Sequence, residues 1–189
     1  MNLFWWVVGA IAVLVIGIPI LMAVRRAKAR EEAEGWLKAS GVAEHVTGLS
    51  SGDAIGINYA TKTLGVVAGG NRYLVEMHGI ISVELIEDSD TVSRVNRSGQ
   101  ITGAAVGALA LGGVGALIGG LSAGRTSKTK VSKLALRIFT DSPHVPVIEA
   151  CAYQGPEVDR SGIVYRQAEA ELLPWFGRLR AVVERGVAA

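Results

Sequence analysis

The chain has 189 residues, half of them hydrophobic, with 19 Lys and Arg against 17 Asp and Glu. A net charge of only +2, with the basic excess beside apolar segments, does not make the basic stripe of a nucleic-acid binder and points instead to anionic lipid. The single cysteine, Cys151, excludes an intrachain disulfide framework and reads as a small core hydrophobe within IEACAY.

The first element is Leu3–Val24, LFWWVVGAIAVLVIGIPILMAV, 22 residues without a charge. At about 1.5 Å per residue a helix of this length spans roughly 33 Å, enough for the ~30 Å hydrocarbon core of a bilayer. No Lys or Arg precedes the run, it exceeds the about 7–15 apolar residues of a signal peptide, and its basic cluster follows it. Residues 3–24 therefore read as a retained transmembrane signal anchor. Arg25, Arg26, Lys28 and Arg30 form its flank and place that end in the cytoplasm, with Trp5 and Trp6 in the opposite interface. The expected location is the bacterial inner membrane, single-pass, with the N-terminus outside and the C-terminal domain in the cytoplasm. Pro19 removes one backbone donor and is expected to kink the helix without a further role.

Residues 25–41 continue as a juxtamembrane helix or stalk. Lys28 with Glu32 and Glu34 with Lys38 are opposite charges four apart, and Ser40-Gly41 is a stop signal. From Ala54 the pattern changes to short β-type runs: 54–60, 62–67, 72–77 after the turn Gly69-Gly70-Asn71, 79–87, 91–95, 131–140 and 145–153. In the fourth, Ile81, Val83 and Leu85 alternate with Ser82 and Glu84. In the sixth, Leu134, Leu136 and Ile138 alternate with Lys133, Ala135 and Arg137. This period-two pattern predicts about seven antiparallel strands in an open sheet or partly closed barrel over 54–97 and 125–186. Ile163–Gly186 reads as a helix with Ala168, Leu172, Trp175, Phe176, Leu179, Val182 and Val183 on one face, its main part opening at Pro174. The fold class is α+β, with the last helix capping the sheet.

Residues 98–124 interrupt the strands with 27 uncharged residues. Ala104, Ala108, Gly112, Ala116, Gly120 and Gly124 fall every fourth position, and Gly103/Gly107 and Gly115/Gly119 make two further GxxxG pairs. Small residues at this interval let a second helix approach closely, so these ten are the candidate helix-packing residues. Three arrangements are open: a helical hairpin bent at Gly112-Gly113, one transmembrane crossing that would split the sheet, and a Gly-rich loop. Basic residues on both flanks, Arg94 and Arg97 before and Arg125, Lys128, Lys130 and Lys133 after, favour the hairpin over the crossing. Apolar residues such as Leu109, Leu111 and Leu117 weigh against a solvated loop. The stretch Gly119–Thr126 approaches a P-loop, but Arg125 stands where that motif needs lysine and strand-like sequence follows.

With these residues laid out, GINYATKTLGVV and RYLVEMHGIISVELIEDSDTV resemble the early strands of small bacterial membrane-associated proteins with a pleckstrin-homology-like β-domain, some carrying a glycine-zipper hairpin between two strands. GAAVGALALGGVGALIGGLSAG resembles that insertion, KLALRIFT the strand resuming the sheet, and the helix around Trp175 the closing helix. The resemblance covers about residues 54–183. It implies a PH-like fold and membrane association, and no catalytic residue to carry over.

No catalytic, cofactor or metal residue is assigned. His45, His78 and His144 lack ligand spacing, and Glu84, Glu87, Asp88 and Asp90 read as a solvated strand end and turn. The expected function is a non-enzymatic membrane-anchored interaction module. Its sheet docks a protein or lipid headgroup, and its zipper mediates membrane or self-association. The alternative is an oligomeric membrane component whose zipper helices form a ring or pore. The expected partners are the lipid bilayer and a second copy or another membrane protein. Neither nucleic acid nor a small-molecule substrate is indicated.

Overall fold

The computed structural model describes residues 13–88, 90–96, 101–102 and 129–185. Helix α1 (Ile18–Ala39) follows one π-helical turn, Val13–Gly17. The change of pitch falls immediately before Pro19, whose missing N–H removes a rung of the helical ladder. The helix stops where expected: Ser40 N–H donates to the Trp36 carbonyl (2.9 Å), and Gly41 takes φ +81°, a conformation that favours glycine.

Strands β1 (His45–Gly48), β2 (Ala54–Asn58), β3 (Thr63–Ala68) and β4 (Asn71–Glu76) form one antiparallel sheet in that order. Gly69 and Gly70, at φ +56° and +81°, make the two-residue turn of the β3–β4 hairpin. A 3₁₀ turn, Met77–Gly79, then redirects the chain. Strands β5 (Ile80–Glu87), β6 (Asp90–Asn96), β7 (Ile101–Thr102), β8 (Lys130–Thr140) and β9 (Val147–Asp159) form a second sheet in the order β7-β6-β5-β8-β9. Helix α2 (Ile163–Arg185) closes the described chain. The strands of the described residues thus make two sheets and no closed barrel, where the sequence pattern led to one open sheet or partly closed barrel. Period-two alternation specifies faces, and it does not specify the break at Met77–Gly79.

Further expectations need correcting. Ile101 and Thr102, assigned to the zipper segment, pair with Val95 and Arg94 as β7. Helix α2 runs through Pro174 instead of opening there; Pro174 and Ala170, whose carbonyl loses its partner, both lie on the exposed face. On β5, Ile81 is exposed (42%) because a bulge between Ile80 and Ser82 passes it over, and Ile80 joins Val83 and Leu85 in the core. The β5–β8 pairing, from Ile80/Thr140 to Glu87/Leu134, also disposes of the single-crossing arrangement, which would put the two strands on opposite sides of a bilayer.

The principal core lies between the sheets and under α2. Ile55, Ile57, Leu64 and Val66 from the first sheet and Val83, Leu85, Leu136 and Ile138 from the second are fully buried with Leu172, Trp175 and Leu179 of α2. Each such side chain contributes about 1.5–3 kcal/mol through removal of apolar surface from water. Because β5 is central and covered on both faces, Glu84 and Glu87 are buried, contrary to the solvated strand end expected of them. Glu87 accepts hydrogen bonds from Arg160 and from the Tyr165 hydroxyl (2.5 Å), and Arg137 lies 3.8 Å from Glu84.

Candidate functional site

The site is built around α1. Its beginning is apolar and outward-facing: Val13 is 66% exposed and Val24 60%, with Ile16, Ile20, Leu21 and Met22 exposed between them. Among the described residues no helix is long and apolar enough to cross a membrane, and residues 3–12 of the expected anchor lie outside the described residues. The four flank residues follow within the same helix and divide between two directions. Lys28 points outward, 3.7 Å from Glu32, and Arg25 is exposed. Arg26 and Arg30 turn toward the body: an Arg26 guanidinium N–H approaches the Gln154 carbonyl at 3.5 Å, and Arg30 Nε donates to Glu34 Oε1 at 3.2 Å. The same Glu34 oxygen accepts the Gly48 N–H at 3.1 Å, joining the helix to β1.

Beyond the basic collar, α1 lies on the outer face of the first sheet. Alternation sends Ile55, Ile57, Leu64 and Val66 inward, which leaves Ala54, Gly56, Gly65 and Val67 facing out, with Gly56 paired to Gly65. Ala33, Leu37 and Val42 pack there with Ala54 and Val67, and Trp36 and Val46 cover the margin. The glycines set the spacing. A Cβ on Gly65 would overlap the Leu37 methyl, and one on Gly56 would sit 3.0 Å from a Val42 methyl. Asn58 Nδ2 donates to the Gly41 carbonyl (2.6 Å), and the Arg72 guanidinium sits over the Trp36 ring at 5.6 Å. The segment expected as a stalk is thus helical, and its last two turns are part of the packed body.

At the foot of this seam a cleft of about 620 Å³ opens between the sheets, lined by Arg26, Ser51, Asp53, Tyr73, Lys133, Glu149, Cys151 and Gln154 among others. Asp53 ties its walls together. One carboxylate oxygen accepts the Gly69 N–H (3.0 Å) and the other the Cys151 N–H (2.9 Å), and the Ser51 hydroxyl donates to the Cys151 carbonyl. Burial pushes the Asp53 carboxyl above its ordinary value, partly offset by those two N–H donors. Burial also pushes the Cys151 thiol up to about 11, so it is a thiol at neutral pH and a poor nucleophile. Burial acts to raise Glu149, but hydrogen bonds and charge from Lys133 and Arg137 outweigh it and leave its carboxyl below the ordinary range. The cleft's carboxylates are therefore engaged in holding the sheets and strands together.

The ten expected helix-packing residues, Gly103, Ala104, Gly107, Ala108, Gly112, Gly115, Ala116, Gly119, Gly120 and Gly124, lie outside the described residues. What the described body shows is that the chain leaves the second sheet at Thr102 and is back in it at Lys130. A β-body interrupted at this point matches the family described as glycine zipper containing PH domain, over residues 44–153. The chain belongs to that family. In this glycine-zipper PH protein the matched span runs from β1 into β9; the seam helix α1 and the closing helix α2 lie outside it. It is 28% identical over 124 residues to a protein of Bacillus phage SPbeta named "Immunity protein", covering 60% of this chain. It is 27% identical over 124 residues, again 60% of this chain, to an SPbeta prophage-derived uncharacterized membrane protein, YomJ, of Bacillus subtilis (strain 168). The matches span 59% and 52% of those relatives' own lengths. No solved structure matches the chain.

Sequence reasoning missed the seam. Its signal was present as small residues at period two, Ala54 and Gly56 on β2 and Gly65 on β3, and as Ala29, Ala33 and Leu37 four apart on the helix.

Proposed function

We propose that this PH-family chain is a non-enzymatic, membrane-anchored interaction module. Its apolar N-terminal run is the anchor, its body sits in the cytoplasm and docks a protein or lipid headgroup, and the zipper of residues 98–124 adds membrane or self-association. One observation carries this reading: α1 is a single helix that passes from an exposed apolar segment, through Arg25, Arg26, Lys28 and Arg30, into a seam on the body. An exposed row of apolar side chains ending in a basic collar suits a helix passing from hydrocarbon to an anionic headgroup layer. The membrane-protein name of one relative agrees with a membrane-related role.

The test is alkaline carbonate extraction of membranes containing the full chain, beside an Ile11→Arg/Leu14→Arg variant. The unchanged chain is expected in the pellet and the double variant in the supernatant, since each arginine near a helix centre costs about 2.5–3.5 kcal/mol of insertion. Release of the unchanged chain by carbonate would refute the anchor.

A further inference from the structure

Among the described residues, strand β4 is an edge of the first sheet and pairs with β3 alone. The two-residue turn makes Ala68 and Asn71 the closing hydrogen-bonded pair, and bonded and non-bonded pairs alternate from there. Tyr73 and Val75 therefore bond to β3, while Arg72, Leu74 and Glu76 turn their N–H and C=O groups outward. A groove of about 400 Å³ follows this edge. Side chains from both faces of β4 line it, Leu74 from the outer face and Tyr73 and Val75 from the inner. It therefore runs along the strand edge, with Asp141 and Val145 of the β8–β9 loop opposite. Leu74 is 52% exposed between Arg72 and Glu76.

We infer that this edge docks an extended segment of a partner protein as a fifth, antiparallel strand. Its residues opposite Glu76, Leu74 and Arg72 are, in chain order, basic, apolar and acidic at alternate positions. The outward backbone groups supply sequence-independent hydrogen bonds, and the Arg72–Leu74–Glu76 row supplies the selection. The inference rests on the docking half of the proposed function and names its partner.

Strand β4 itself carries the complementary pattern, so a second copy is the obvious rival. The dyad of such a pairing stands normal to the sheet, whereas α1 lies along the sheet, from Gly52 at one end of β2 to Asn58 at the other. That dyad would reverse α1, opposing two chains whose apolar helices enter one bilayer. A free segment meets no such conflict.

The probe is a labelled synthetic peptide of residues 70–78 of this chain, titrated by fluorescence anisotropy into the full chain in detergent micelles. Saturable binding is expected. Leu74→Pro removes the outward N–H that a guest strand would use, together with the Leu74 side chain, and leaves the β3–β4 ladder intact, so it should weaken binding about tenfold or more. An Arg72→Glu/Glu76→Arg exchange should weaken the native peptide, and a peptide carrying the same exchange should restore binding. This second arm holds even if the proline perturbs folding. Absence of peptide binding, equal affinity of the Leu74→Pro chain, or a dimer in micelles that the proline converts to monomer would each overturn the inference. Carbonate extraction of the Leu74→Pro chain reads the anchor separately: retention in the pellet with lost peptide affinity is the expected pair, and the anchor stands or falls on extraction alone.

Discussion

On its inner face the four-stranded sheet buries Ile55, Ile57, Leu64 and Val66 against the second sheet and α2, while on its outer face it buries Ala54, Gly56, Gly65 and Val67 under α1. The inner contact is large side chain on large side chain and removes much apolar area. The outer one brings a helix close to nearly bare backbone and removes little. The first therefore carries the stability of the body, and the second fixes where the helix sits. A small contact of this kind belongs to the low end of the range of local opening free energies.

That contrast breaks most visibly from the inside. Leu136→Ala empties a fully buried site in the principal core and is expected to destabilise the body by about 2–5 kcal/mol, read by chemical denaturation of the full chain in detergent. Hydrogen exchange should rise in both sheets and both helices together. From the outside, Gly65→Val drives a side chain into Leu37 and lifts α1, at a cost of about 1–3 kcal/mol. Exchange should then rise at residues 33–39 while α2 keeps its protection. Equal loss in α2 would mean that the two faces form one cooperative layer.

The smallest effect sharpens the comparison at the cleft where both layers meet. Glu149 is held below its ordinary value of 4.5, so its stabilisation is present above that pH and is lost as pH falls through its folded value. Asp53 is raised above 3.8, so its contribution is complete below 3.8 and is lost as pH rises through its folded value. Relative to the unchanged chain, Glu149→Gln should cost most at neutral pH and progressively less in acid. Asp53→Asn should cost more in acid than at neutral pH. Thermal melts of the three chains from pH 3 to pH 7 check both signs, and parallel profiles would remove the opposition.

Much of the body was legible because its strands alternate and its last helix has an apolar stripe. Leu134, Leu136 and Ile138 face the core and Trp175, Phe176 and Leu179 are buried, as the pattern required. Strand β1 escaped notice because HVTG is four residues long with no apolar run, and β7 because two residues carry no period. The phase error at Ile81 has a different source: a bulge is a property of strand pairing, absent from either strand alone. The site was half legible. The apolar run and its four cations announced a helix, but a stripe of Ala29, Ala33 and Leu37 looks the same whether it faces water or a glycine-lined sheet. Only the sheet's own small residues tell the two apart.

The unbroken helix between the apolar run and the seam also sets a rotational phase. Each helical residue turns the chain by about 100°, so one residue inserted between Val24 and Ala33 would swing the apolar segment by that angle relative to the body. Three or four inserted residues would come close to restoring the original bearing and raise the body by about one pitch, 5.4 Å. The length of the collar is thus a dial for the azimuth and height of the body relative to the apolar segment.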